Sequence, residues 1–89
     1  MASYYDVTLG AAIPHGSNIL NQPCTVTFSY PGGSFSTPYS GTVFAWRQSN
    51  VVSVTSAYTN LESAWVGANG GTLSINGMPN YAITNFVKT

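Results

Sequence analysis

Eighty-nine residues suffice for one domain with a modest core, and Cys24, the only cysteine, excludes an internal disulfide as reinforcement. Only Asp6, Arg47, Glu62 and Lys88 are charged, 4% of the chain against about 25% in ordinary soluble domains, and the formal net charge is zero. One arginine and one lysine cannot neutralise the several phosphates that nucleic-acid binding uses, and a hydrophobic content of 44% is too high for charge-poor disorder.

Sustained helical spacing of apolar residues is lacking, and alternation takes its place. Tyr5, Val7 and Leu9 alternate with Asp6 and Thr8, which predicts a first strand. A long connection follows over 10–23, holding Pro14 and Gly16, with a short extended piece expected at 18–20. Val26, Phe28 and Tyr30 alternate with Thr25, Thr27 and Ser29, a half-buried strand ended by the turn Pro31-Gly32-Gly33. Residues 35–40, with Pro38, read as an irregular edge. The stretch 42–48 is apolar on both faces, and Ser49-Asn50 turns it into the β-branched run 51–59, which predicts a hairpin.

Asn60-Leu61-Glu62-Ser63 has room for one helical turn capped by Asn60. Residues 64–68 read as a short strand around Trp65 and Val66, and Asn69-Gly70-Gly71 as a turn needing positive φ. Leu73 and Ile75 alternate with Thr72 and Ser74. After an Asn-Gly loop, Tyr81, Ile83 and Val87 are expected on one face of a final strand. Short strands with turn signals every eight to twelve residues or so predict a single all-β domain over 1–89. The form expected is a small antiparallel β-sandwich or barrel, Ig-like or jelly-roll-like. Residues 1–9 are expected to be an extended N-terminal arm or edge strand, because the long connection after them would let them leave the sheet.

Catalytic chemistry is poorly supplied. Cys24 and His15 are the one nucleophile–base pair available, but a lone cysteine before an apolar strand is ordinarily a small buried hydrophobe, and an imidazole in a Pro-Gly loop is ordinarily solvated. Asp6 and Glu62, the only carboxylates, are expected at the surface. No Cys/His spacing matches a metal site, so neither a metal nor another cofactor is expected. The opening residues are not expected to form a leader segment, and no apolar run is long enough to suggest a membrane span.

Aromatic residues are more numerous than so small a core holds comfortably. Tyr4, Tyr5, Tyr39, Tyr58, Trp65 and Asn69 are the candidates for an interface or ligand surface, while Trp46 belongs with the core. Ser, Thr, Asn, Gly and Tyr replace charge, and such groups can be buried against a partner without desolvating an ion. These features lead to the expectation of a non-catalytic structural module that associates with itself or with a larger shell or filament. A virion component, such as a phage capsid-decoration or tail module, or another extracellular surface-assembly protein, fits that composition without a signal peptide. The alternative expectation is a small carbohydrate-binding protein, an oligomeric lectin for a neutral glycan.

Overall fold

The computed structural model describes residues 2–31 and 36–89, and the glycines and Phe35 of the turn and edge expected around 32–35 lie outside the described residues. The strands are β1 (Ser3–Leu9), β2 (Pro23–Ser29), β3 (Ser36–Gln48), β4 (Val51–Ser56), β5 (Gly71–Ile75) and β6 (Tyr81–Lys88), with one short helix, α1 (Leu61–Val66), before β5. They close into an antiparallel barrel in the order β1-β4-β3-β2-β5-β6. The chain is therefore all-β, and its pairing is that of a barrel rather than of two stacked sheets.

Alternation explains which side chains fill the barrel. Tyr5, Val7 and Leu9 of β1, Cys24, Val26 and Phe28 of β2, and Leu73 and Ile75 of β5 are buried, while their neighbours in sequence are less so. In β6 the phase changes: Tyr81 and Ile83 are buried, then Phe86, while Val87 is exposed. The expected face of Tyr81, Ile83 and Val87 is thus corrected at its last member. Thr8 pairs with Asn85 but Leu9 with Ile83, so Thr84 is an extra residue, and this bulge turns Phe86 inward.

Strands β1 and β2 stand on opposite sides of the barrel, so the chain between them must cross one end. Ile13 and Ile19 of that connection are buried there. Its backbone is tied by Ile13 N donating to Ser49 O at 2.8 Å and by Asn21 N donating to Val43 O at 2.9 Å. No strand forms at 18–20. Strands β4 and β5 are likewise opposite, and the chain carrying α1 crosses the other end. There Leu61 is buried, and Trp65 packs against Phe28 and Phe86 at ring separations of 5.9 and 6.4 Å.

Four expectations are corrected by this architecture. Residues 64–68 lie in and just after α1, not in a strand. Leu61, Ala64, Trp65 and Ala68 follow the i, i+3, i+4, i+7 pattern of a helix lying on the core, and all four pack into or against it. Asn60 occupies the N-cap position, but its side chain makes no capping hydrogen bond. Residues 36–40 are regular strand, paired with β2. Ser40 O accepts from Ser56 Oγ on the β4 side, so Pro38, two residues away in the same phase, turns its missing N–H away from β2 and costs that ladder nothing. Finally, β1 is neither an arm nor an edge. It is hydrogen-bonded to β4 on one side and β6 on the other.

Candidate functional site

The groups able to do covalent or acid–base chemistry are dispersed. Cys24 is buried, and desolvation pushes its thiol up from 9.0 to about 11, the opposite of what a nucleophilic thiolate needs. His15 is exposed in the β1–β2 connection and borders a cleft with Ile13 and Trp46, whereas Cys24 borders a different one beside Gly41 and Met78. Glu62 accepts a hydrogen bond from Lys88 N at 3.3 Å, whereas Asp6 accepts from Ser53 Oγ, so the two carboxylates share no partner. Among the described residues no group of three His, Cys, Asp or Glu gathers as metal ligands would, and no helix is long and apolar enough to cross a membrane.

The charged side chains that do meet are Asp6 and Arg47, through Ser53. Pairing of β1 with β4 sets Asp6 directly opposite Ser53. Ser53 Oγ donates to Asp6 Oδ1 at 2.5 Å and accepts from Arg47 Nε at 3.0 Å. A guanidinium can only donate and a carboxylate only accept, so a hydroxyl between them serves both. The outer face of the barrel here carries a cleft of about 250 Å³, lined by Tyr4, Phe44, Arg47, Ser53 and Thr89. Tyr4 and Phe44, 40% and 52% exposed, meet edge to face at 5.0 Å.

Two irregularities of β3 produce this cleft. Val43 pairs with Val54 and Ala45 with Ser53, which leaves Phe44 as an extra residue; Trp46 pairs with Val52 and Gln48 with Val51, which leaves Arg47 as another. Bulges of this kind re-aim a side chain that a regular ladder would place elsewhere. Phe44, Arg47 and Ser53 were not among the residues singled out from sequence. The available signal was the broken alternation in 42–48 and the sole arginine of the chain within it.

The other residues singled out gather elsewhere. Tyr58, 45% exposed, meets Tyr39 at 4.9 Å, Tyr39 meets Phe28 at 5.8 Å, and Phe28 meets Trp65. Asn69 N donates to Ser29 O at 2.6 Å beside them. The α1 end of the barrel thus has an aromatic rim of Tyr39, Tyr58, Trp65 and, next along the helix, Val66, which is 78% exposed. Tyr4 belongs to the outer-face cleft. Tyr5 joins neither surface: it is fully buried, its hydroxyl donates to Tyr58 O at 2.8 Å, and Leu61 N donates to that hydroxyl at 3.2 Å. It is corrected from a contact residue to the internal tie that holds the rim segment on the barrel. Trp46 packs partly against the core, and its buried Nε1 has no hydrogen-bond partner among the described residues.

Comparison with protein families, with curated proteins and with solved structures finds no match in any of the three.

Proposed function

We propose that this protein is a non-catalytic assembly module whose copies associate through the aromatic rim at the α1 end of the barrel. The virion or another extracellular assembly is the setting that its composition suits. The observation that carries this reading is the rim itself. Tyr58 and Val66 are large, apolar and exposed, and they are backed by Tyr39 and Trp65, which are fixed by packing on Phe28. Rigid aromatics of this kind dominate interface energies because little side-chain freedom is lost when they are covered. A second copy is the natural occupant, since a molecule of zero net charge with four charged side chains has little to hold its copies apart.

Sedimentation velocity at increasing concentration tests the proposal. Wild-type protein should associate, with little change between low and high salt because few ion pairs are available to screen. The double variant Tyr58→Ser, Val66→Ser should stay monomeric. Equal sedimentation of the two proteins would contradict the reading.

One observation favours the carbohydrate-binding alternative. Two clefts of about 370 and 400 Å³ share Ser40 and Gly41 and are bordered by Thr25, Ser74, Thr42 and Thr55 with no charged group, a neutral hydroxyl-rich surface suited to a neutral glycan. Specific hits on a glycan array, lost on Thr25→Val or Thr55→Val, would support it.

A further inference from the structure

We infer that the outer-face cleft around Arg47 is a receptor for a carboxylate flanked by an apolar group, presented by the surface of a partner protein. This goes beyond self-association at the α1 end and uses a different face of the barrel.

The argument starts from the guanidinium. Arg47 Nε is held by Ser53 Oγ at 3.0 Å, and Ser53 is held in turn by Asp6 at 2.5 Å. These bonds anchor the exposed guanidinium through Nε and occupy only one of its three nitrogens. The two Nη groups find no partner among the described residues. A guanidinium offers donors only, and the group that matches a pair of them in one plane is a carboxylate, bound through two parallel hydrogen bonds. Asp6 does not fill that role. It stands behind Ser53 and is not part of the cleft lining.

The rest of the lining decides what the carboxylate is attached to. Tyr4 and Phe44 form an exposed edge-to-face pair beside the guanidinium and offer contact to an apolar body. Thr89 closes the side, tied by its N and Oγ1 to Tyr4 O at 2.9 and 3.3 Å. At about 250 Å³ the cleft is smaller than the roughly 300–1,000 Å³ of sites that enclose a free small molecule. It accommodates an acidic side chain and an apolar neighbour, while the remainder of the ligand must be held by the surrounding surface, as in a protein–protein contact. The chain's side-chain carboxylates are poor occupants for a second copy: Asp6 is engaged with Ser53, and Glu62 already accepts from Lys88 N. An acidic and apolar surface on a different protein is the complementary partner.

A matched pair of probes isolates the charge. The peptides acetyl-Phe-Glu-amide and acetyl-Phe-Gln-amide have the same size and apolar body. Each is titrated into the ¹⁵N-labelled full chain with chemical shifts as the readout. The Glu peptide should shift Tyr4, Phe44, Arg47, Ser53 and Thr89 and bind at least about tenfold more tightly than the Gln peptide, a factor equivalent to about 1.4 kcal/mol. Arg47→Gln should abolish the difference, and Arg47→Lys should restore only part of it, because an ammonium is a point charge rather than a planar fork. Equal binding of the two peptides to wild-type protein overturns the proposal whether or not the variants fold. So does the absence of localised shifts up to about 20 mM, a concentration that detects binding weaker than −4.1 kcal/mol. Sodium glucuronate is the third probe. If it binds the same residues more tightly than the Glu peptide, the partner is an acidic sugar and the protein assignment fails. None of these outcomes alters the sedimentation test of the rim.

Discussion

The hydroxyl of Tyr5 is the smallest feature on which the α1 end depends. It donates to Tyr58 O and accepts from Leu61 N inside the barrel mouth, so both backbone groups rely on one oxygen. Tyr5→Phe keeps the ring against Phe86, at 4.9 Å, and removes only that oxygen. The expected cost is about 1–3 kcal/mol in urea unfolding, the penalty for stranding buried polar groups; a loss below about 0.5 kcal/mol would mean that water replaces the hydroxyl freely. Cys24 sets a second expectation, in pH. The unfolded chain releases the thiol proton near 9.0, whereas the folded chain keeps it until about 11. Between those values the unfolded state binds fewer protons, so this group lowers stability as pH rises, and below 9.0 it has no such effect. The native thiol should accordingly resist iodoacetamide at pH 8 and react on unfolding; rapid alkylation of the native protein would place the thiol outside the core.

Strands and helix show where the sequence was legible and where it was not. The alternation of β1, β2 and β5 is plain because each keeps one phase from end to end. The phase of β6 was misread because a bulge at Thr84 reverses it, and a single extra residue leaves no mark in composition. The helix was legible only in its first turn, over 61–63, for a different reason. Its second half, Ala64, Trp65 and Val66, resembles a short strand, and only the spacing of Leu61 and Trp65 relative to Ala64 and Ala68 shows otherwise. The cleft was missed as a site because it arises from bulges in β3, whose partner register no single segment reveals. The positive-φ turns were the easiest features, with Gly70 at φ 94° and Gly77 at φ 78° where Asn-Gly pairs stand. Strand contact sets a sharper demand at Gly71. A Cβ there would lie 2.8 Å from both Phe28 Cδ1 and Thr27 O. Gly71→Ala should therefore cost about 1–3 kcal/mol, like other overpacking changes. It should also disturb the ring shifts of Phe28. A neutral effect would show that β2 and β5 separate easily.

Closure of the barrel governs the behaviour of the whole molecule. Its strands are joined through two crossings of the barrel ends, each with buried residues, Ile13 and Ile19 at one and Leu61 at the other. Removing any strand opens a ring rather than trimming an edge. Deletion of residues 1–9 should therefore abolish cooperative unfolding, since it unpairs β4 and β6 together and removes Tyr5, Val7 and Leu9 from the core. Retention of a native-like, cooperative fold would contradict the closed barrel. Closure also hides most strand edges, so association must use side chains on the ends and the outer face rather than strand addition. That division makes the central claim measurable residue by residue. Hydrogen–deuterium exchange, compared between dilute and concentrated protein, should show added protection over 58–66 and around Tyr39. Tyr4, Phe44 and Arg47 should exchange alike at both concentrations. Protection confined to the cleft face, or none at any concentration, would contradict assembly through the aromatic rim.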